Sequence, residues 1–156
     1  MSYPRAKAFA IARRGDAVLL WRGYDELKDA YFWRPAGGHI ELGEHSRDAV
    51  RREMREELGS EVVEARFLAT IESIFESGGE VGHEIVLLYE VDLADRHLYE
   101  VESFTGVELD GAPLDMHWRT LAELEQDGLP VYPDGLFAFL EQHLGKEEGP
   151  PRGEAR

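Results

Sequence analysis

GHIELGEHSRDAVRREMREELGS, residues 38–60, is the stretch that decides how this chain folds. It reads as a loop that begins with glycine and runs into a helix of about a dozen residues. Val50, Met54 and Leu58 recur every four residues along that helix and form an apolar stripe. The stripe predicts that one side of the helix packs on a β-sheet.

Three carboxylates share a neighbouring arc of the same helix. Glu53, Glu56 and Glu57 lie three and four residues apart, so their side chains are surface neighbours and repel one another. A divalent cation would remove that repulsion, and oxygen ligands without cysteine or histidine favour a hard ion, Mg²⁺ first, with Mn²⁺ able to substitute. Because Mg²⁺ takes part of its coordination shell from phosphate oxygens, the cluster indicates a small phosphorylated substrate.

The stretch resembles the Nudix box, the family pattern G-x5-E-x7-R-E-U-x-E-E-x-G-U in which U is a bulky apolar residue. The pattern is filled in register by Gly38, Glu44, Arg52, Glu53, Met54, Glu56, Glu57, Leu58 and Gly59. Ser60 departs from it, because the family prefers Ile, Leu or Val at that position. Fixed spacing of the polar and glycine positions makes the match specific. The plain alternative is a surface helix that happens to be rich in Glu and Arg.

The resemblance implies a fold and an activity together. Composition and periodicity alone give only an α/β or α+β class, whereas the family implies an α/β/α sandwich around a mixed β-sheet. It implies a hydrolase that cleaves a nucleoside diphosphate linked to a moiety X, with Mg²⁺ or Mn²⁺ as cofactor. It also implies that a main-chain carbonyl of Gly37 or Gly38 joins Glu53, Glu56 and Glu57 as a metal ligand.

Roles for two further box residues follow from the helix geometry. Arg52 lies next to Glu56 at i+4 and can reach back to Glu44, so it is expected to orient these carboxylates, with direct phosphate contact as the alternative. Glu53 is the first choice as general base, and Glu57 is assigned a catalytic role as a metal ligand.

Outside the box, Glu84 and then Glu72 are the other candidates for the general base, and Glu84 is also a candidate substrate contact. Both lie in predicted strands, and an outward, solvent-exposed position is the alternative for each of them.

Substrate contacts are also predicted just before the box. Arg34 can meet a phosphate, and Trp33, Phe32 or Tyr24 can stack on a base, although an aromatic residue in a strand is more often part of the core. His39 is interpreted as an ordinary loop residue beside the acidic cluster.

Strand patterns precede the box. Residues 5–14 and 16–22 predict two strands of a hairpin joined at Arg14-Gly15-Asp16. Residues 23–30 are polar and predict a loop, and YFWRPAGG, residues 31–38, predicts a short extended piece that leads into the box.

Strand patterns follow the box as well. Residues 65–76 and 83–93 alternate between apolar and polar and predict an antiparallel pair joined through 77–82. Residues 94–112 lack a pattern and predict a loop, and MHWRT, residues 116–120, predicts a last strand.

Capping residues mark the ends of the expected helices. Ser46 is the expected N-cap of the box helix, and Gly59 is its expected left-handed C-terminal residue. Thr120 and Glu123 form a capping box for a short helix that ends near Gly128.

The length of the chain predicts a single domain over residues 1–145. A final helix is expected to open at Pro133-Asp134 and to end at Gly145. The tail, residues 146–156, has nothing to bury and is expected to be disordered.

The net charge of the chain limits its partners. Thirty-two acidic side chains against 17 basic ones give a formal charge of −15, which repels a polyanion and disfavours extended nucleic-acid binding. The sequence has no apolar run of about 18 residues and no convincing signal-peptide core, so no membrane association is expected. It has no cysteine, which is compatible with the cytoplasmic location that we expect. A homodimer is left open.

Two other functions fit parts of the pattern. One is a catalytically silent Nudix-fold module that binds a nucleotide and signals to a partner, although such modules usually lose box carboxylates. The other is an acidic Ca²⁺-binding surface, although the sequence lacks the D-x-[DN]-x-[DN]-G loop. Residues 74–78 carry neither the proline of ADP-ribose hydrolases nor the tyrosine of dinucleoside polyphosphate hydrolases, so the resemblance leaves the substrate open.

Overall fold

The computed structural model describes residues 3–147 of the chain. Its strands within that range are β1 (Arg5–Ile11), β2 (Arg13–Arg14), β3 (Ala17–Asp25), β4 (Ala30–Arg34), β5 (Ala36–His39), β6 (Val62–Ser77), β7 (Glu80–Leu93), β8 (Ser103–Val107) and β9 (Pro113–Thr120). Its helices are α1 (Ser46–Leu58), α2 (Leu121–Asp127) and α3 (Leu136–Glu147), with a 3₁₀ helix at Arg96–Tyr99.

The strands form two sheets. The first has the order β5-β1-β7-β6 and is mixed, because β1 and β7 run parallel while the other neighbours run antiparallel. The second has the order β2-β3-β9-β8, with β4 paired to β3, and is antiparallel throughout. The chain crosses from one sheet to the other at Ala12, whose carbonyl accepts the N–H of Leu19 at 3.1 Å.

Side chains of β1 alternate between two hydrophobic cores. Ala8 and Ala10 face the core that contains the buried side of α1, and the small alanine side chains let that helix lie close to the sheet. Phe9 and Ile11 face the second core, which contains the leucines of α3. Because helices cover both cores, the prediction of an α/β/α sandwich around a mixed sheet is confirmed.

The box helix forms as its sequence predicts, except at its first residue. Val50, Met54 and Leu58 are buried, and Gly59 ends the helix in the left-handed region with φ 70°. The N-cap is His45 rather than Ser46, and no side chain caps the helix there. The Ser46 hydroxyl instead bonds to the phenol of Tyr89 at 2.7 Å across the core.

Ser60, the one departure from the box pattern, has a structural reason. Its side chain is only 3% exposed, and its hydroxyl donates to the carbonyl of Glu61 at 2.8 Å while accepting the N–H of Asp95 at 3.0 Å. The buried hydroxyl of Ser60 therefore has both of its hydrogen bonds, and these connect the end of α1 to the segment after β7. An apolar residue at this position would form neither bond.

The predicted hairpin before the box is largely wrong. Only the two residues of β2 pair with β3, and β1 belongs to the other sheet, between β5 and β7. Both segments alternate between apolar and polar residues as strands do, but they pair with different strands. The alternation therefore could not reveal that the chain changes sheets at Ala12. The loop predicted at 23–30 is also too long, because β3 continues to Asp25 and β4 begins at Ala30.

The antiparallel pair after the box is confirmed as β6 and β7, and the capping box at Thr120 and Glu123 is present at the start of α2. The loop predicted at 94–112 is wrong in part, because it contains the 3₁₀ helix and β8. Strand β8 pairs with β9, which lies further along the chain, and a short sequence pattern does not show that pairing.

The end of the chain departs from expectation by a few residues. Helix α3 begins at Leu136 and passes through Gly145 to Glu147, so residues 146 and 147 are helical rather than part of a disordered tail. The remainder of the predicted tail, residues 148–156, lies outside the described residues. Within residues 3–147, none of the helices has the length and hydropathy needed to cross a lipid bilayer.

Candidate active site

Glu53 and Glu57 lie one helical turn apart on α1 and meet the edge strand β5. The two carboxyl groups interact electrostatically, since the charge of Glu53 helps to raise the pKa of Glu57. The N–H of Gly37 donates to Glu57 Oε1 at 3.0 Å, which fixes that carboxylate against the strand. The side chain of Glu53 is 13% exposed, so this carboxylate pair lies mostly out of bulk water.

The two glycines of β5 leave the room that this arrangement needs. A Cβ on Gly38 would lie 2.6 Å from Glu53 Oε2, which is closer than nonbonded atoms approach. Gly37 has φ 138°, and a Cβ there would overlap the carbonyl oxygen of Ala8 on the neighbouring strand. A side chain at position 38 would therefore displace the Glu53 carboxylate, and one at position 37 would collide with the backbone of β1.

Arg52 holds the acidic groups in place. Its Nε and Nη2 donate to the two oxygens of Glu44 at 2.8 and 3.0 Å, a bidentate pair. Its Nη1 donates to Glu53 Oε2 at 3.0 Å and to Glu56 Oε1 at 3.3 Å, and its Nη2 also reaches the carbonyl of His39. With this many partners, Arg52 is occupied as an orienting group and has little capacity left for a substrate phosphate.

Burial and charge separate the pKa values of the acidic residues. Burial, followed by the charge of Glu53, raises the pKa of Glu57 to about 8. Burial also raises the pKa of Glu53, against the opposing effect of Arg52. The bidentate bond from Arg52, with the N–H of Glu41, lowers the pKa of Glu44 to about 2. Glu44 is therefore a permanent anion, whereas the buried pair can hold a proton near neutral pH.

The donor set fits a hard divalent cation. All of the candidate side-chain ligands offer carboxylate oxygens, and the cost of burying Glu53 beside Glu57 is the cost that a cation would remove. Within residues 3–147, no three His, Cys, Asp or Glu side chains already surround one point. The side chain of Glu56 is 46% exposed, and its Oε1 accepts a hydrogen bond from Arg52 Nη1 at 3.3 Å.

A cavity of about 470 Å³ opens beside the second core, and Arg34 links it to the carboxylate pair. Its walls include Phe9, Phe32, Arg34, Glu84 and Tyr132. The rings of Phe32 and Tyr132 lie 5.5 Å apart and form an aromatic wall. Arg34 is part of the cavity wall, and among the acidic side chains that act on its guanidinium the charge of Glu57 has the strongest effect.

Trp33 is not part of the cavity wall, and its position in the core speaks against the prediction that it contacts substrate. Its ring is 1% exposed in the second core, and its Nε1 donates to Asp127 Oδ2 at 3.0 Å. Neighbouring residues of a strand point to opposite sides, so Phe32 and Arg34 line the cavity while Trp33 packs inside. Tyr24 is exposed, packs on Tyr31 and is absent from the cavity wall.

The two strand glutamates differ in position. Glu84 lines the cavity and forms an ion pair with Lys7 Nζ at 3.0 Å. Both side chains are mostly buried. Glu72 is 61% exposed and bonds to His83 Nε2 at 2.8 Å. His39 is the last residue of β5 rather than a loop residue, and its ring bonds to Arg5.

Sequence patterns missed two residues of the cavity wall, Tyr132 and Lys28, and a third residue, Lys7, that pairs with Glu84 of that wall. Lys7 alternates with Phe9 and Ile11 on β1, a signal that could have placed it on this side of the sheet. Tyr132 gave no signal, because it lies in an irregular segment between α2 and α3. Lys28, whose Nζ donates to the Tyr132 hydroxyl at 3.3 Å, gave none either.

Residues 3–138 match the sequence model of the NUDIX domain. A curated relative, the CTP pyrophosphohydrolase of Escherichia coli K12, is 33% identical over 88 residues, which span 56% of this chain and 61% of the relative. The match therefore spans less than two thirds of that relative.

Solved structures share the fold. A MutT NUDIX hydrolase from Burkholderia pseudomallei superposes with a TM-score of 0.63 at 24% identity, over 90% of this chain and 98% of that one. A NUDIX hydrolase from Nitrosomonas europaea gives a TM-score of 0.64 at 20% identity, over 92% and 91% of the two chains. At these identities the likeness concerns the fold.

Proposed function

This chain belongs to the NUDIX domain family, and from that premise we propose that it is a divalent-metal-dependent pyrophosphohydrolase that cleaves the diphosphate linkage of a nucleoside diphosphate joined to a moiety X. The observation that carries the proposal is the buried pair Glu53 and Glu57, held against the glycines of β5 on one side and by Arg52 on the other. Such a pair is costly without a cation and is suited to bind one.

The cation would be Mg²⁺, with Mn²⁺ able to replace it. Glu53 and Glu57, with Glu56 after rotation away from Arg52 and the main-chain carbonyl of Gly38, are the proposed ligands. When bound, the ion would neutralise the diphosphate and activate the attacking water. The Gly37 N–H keeps one oxygen of Glu57 in place, so that residue is already oriented before a ligand arrives.

Glu53 is the proposed general base. Burial raises the pKa of its carboxyl, and Arg52 orients Oε2 at 3.0 Å, so the group is both basic and fixed. Glu84 is the second candidate, but its carboxylate already forms an ion pair with Lys7 Nζ at 3.0 Å. Glu72 is the third, and its exposure speaks against it.

Arg52 and Glu44 are proposed as positioning residues. Since the pKa of Glu44 lies at about 2, the ion pair persists across the physiological range and keeps the guanidinium fork rigid. The guanidinium of Arg52 in turn restrains Glu53. Loss of Arg52 or of Glu44 would therefore slow the reaction by misplacing the proposed base, Glu53.

The proposed substrate is a nucleotide derivative. The relative from Escherichia coli is named for CTP, which makes nucleoside triphosphates the first compounds to test. The formal charge of −15 argues against an extended nucleic acid as partner. A cytoplasmic location is part of the proposal, in keeping with the lack of cysteine.

The test is release of phosphate and pyrophosphate from a panel of nucleoside di- and triphosphate derivatives, with Mg²⁺, with Mn²⁺ and with a chelator. The proposal expects turnover only with a metal, lost in Glu53→Gln and kept in Glu125→Gln, a control at an exposed position on α2. Silence of the wild-type protein across the panel, together with nucleotide binding, would instead support the catalytically silent module. Metal binding without nucleotide binding would leave the acidic Ca²⁺-binding surface.

A further inference from the structure

Arg34 is a buried cation that lacks an anionic partner. Its guanidinium is largely enclosed, although the residue as a whole is half-buried, and its Nε has no hydrogen-bond partner. Among residues 3–147, no carboxylate lies within ion-pair distance of it, and no hydrogen bond joins the guanidinium to another group. A buried charge without a partner is costly, so its presence calls for a reason beyond folding.

Two aromatic rings fix the orientation of this side chain. The guanidinium carbon lies 4.5 Å from the ring centre of Trp21 and 5.2 Å from that of Phe9. These cation–π contacts compensate for part of the lost hydration and hold the planar group in one place. They leave the N–H donors at its edge unused, and those donors are what a phosphate would take.

The location of Arg34 indicates which anion it would bind. Arg34 lies at the wall of the 470 Å³ cavity, a size within the range of about 300–1,000 Å³ that is typical of small-molecule sites. Its strongest electrostatic neighbour is Glu57, one of the proposed metal ligands. An anion at Arg34 would therefore share the cavity with the aromatic wall of Phe32 and Tyr132 and lie within the electrostatic reach of Glu57.

We propose that Arg34 binds the phosphate that stays attached to the nucleoside, while the cavity beside it takes the nucleoside itself. This inference rests on the proposed function and adds the side of the substrate on which specificity is set. The carboxylate pair and its cation would engage the next phosphate, so the bond between the two phosphates would lie between Arg34 and Glu53. Arg34 is thus a substrate-binding residue with no counterpart among the box residues.

Arg119 provides a matched control. Its guanidinium also lies over a tryptophan, 5.2 Å from the ring centre of Trp33, and its Nε is also buried without a hydrogen bond. Unlike Arg34, Arg119 has an acidic partner, because Asp127 Oδ2 lies 3.5 Å from its Nη2. It is also absent from the cavity wall. Removal of Arg119 should therefore affect stability and leave ligand binding unchanged.

The experiment measures how much the 5′-phosphate contributes to binding. Adenosine, cytidine, guanosine and uridine, each as the nucleoside and as the 5′-monophosphate, are titrated calorimetrically into the wild-type protein, Arg34→Met, Arg34→Lys and Arg119→Met with Mg²⁺ present. None of these ligands contains an anhydride bond, so turnover does not interfere. The readout, for each base, is the dissociation constant of the nucleoside divided by that of its 5′-monophosphate.

The wild-type protein should bind at least one monophosphate more tightly than its nucleoside. Arg34→Met should reduce that ratio by about tenfold to hundredfold, the value of a hydrogen bond to a charged group, and Arg34→Lys should recover part of it. Arg119→Met should keep the wild-type ratio. If Arg34→Met does not fold, Arg34→Lys decides, because loss of the fork alone should lower the ratio.

Two results would overturn the inference: no preference for the monophosphate in the wild-type protein, or an Arg34→Met ratio equal to the wild-type one. The second result with a lowered melting temperature would make Arg34 a packing residue. Failure of the proposed function appears differently, as retained phosphate-dependent binding with no hydrolysis of any anhydride. If Arg34→Met hydrolyses the anhydride at the wild-type rate and keeps the wild-type ratio, Arg34 does not bind the phosphate. The proposed function would then still hold.

Discussion

Replacement of Glu57 by glutamine should stabilise the metal-free protein at alkaline pH. The pKa of Glu57 is raised to about 8, while its ordinary value is 4.5, so the folded chain keeps a proton that the unfolded chain releases between these values. The free energy of unfolding of the wild-type protein should therefore fall as pH rises from about 4.5 to about 8 and then level off. An amide carries no charge to bury, so the variant should not show this decrease.

The magnitude follows from the burial of the carboxylate. One pKa unit corresponds to about 1.4 kcal/mol, so a carboxyl that titrates near 8 costs at most about 5 kcal/mol at high pH. Water entry and relaxation around Glu53 reduce that value, and we expect Glu57→Gln to be more stable than the wild-type protein by about 2–4 kcal/mol at pH 8.5. The glutamine Oε1 can still accept the N–H of Gly37, so little packing is lost.

The assay is urea denaturation in the presence of a chelator at pH 5, 6.5 and 8.5. Glu56→Gln is the control, because it removes the same charge from an exposed position on the same helix and should change stability by less than about 0.5 kcal/mol. Added Mg²⁺ should then stabilise the wild-type protein at pH 8.5 far more than Glu57→Gln. A wild-type stability that is constant from pH 5 to 8.5, or a variant no more stable at pH 8.5, would refute the reasoning.

Three further substitutions probe the site. Glu44→Gln should remove the loss of stability that the wild-type protein shows as pH falls from about 4.5 to about 2, because Arg52 holds the pKa of Glu44 at about 2, and acid titration followed by circular dichroism measures it. Gly38→Ala should lower kcat by at least about tenfold, since its Cβ would displace Glu53, while Gly145→Ala, which meets open space, should not. Arg52→Lys should lower kcat by about 10- to 100-fold with an unchanged melting curve near neutral pH, because it loses the fork that orients the carboxylates.

Local patterns predicted the elements that depend on local physics. The apolar stripe of α1, the left-handed Gly59 and the capping box at Thr120 each arise within a few residues, and each is present. The crossing at Ala12 and the pairing of β8 with β9 depend on distant partners, so alternation could not show them. The N-cap at Ser46 failed because a tertiary partner, Tyr89, takes its hydroxyl.

The candidate site divides in the same way. Fixed spacing on one helix brought out Glu53, Glu56, Glu57 and Arg52, and the orienting bonds from Arg52 to the carboxylates are present. The proposed substrate-binding cavity was harder to predict, because its wall joins residues of both sheets. Trp33 was assigned there from its neighbours in sequence, but the alternation of β4 turns it into the core.

The rate of anhydride cleavage by wild-type protein and Glu53→Gln, measured in single turnovers with Mg²⁺ and with a chelator on the best substrate of the panel, tests the buried carboxylate pair most directly. We expect cleavage by the wild-type protein only with Mg²⁺, and a rate at least about 100-fold lower in the folded variant. Equal rates for the two proteins, or wild-type cleavage that persists in the chelator, would contradict a metal-dependent role for Glu53 and Glu57.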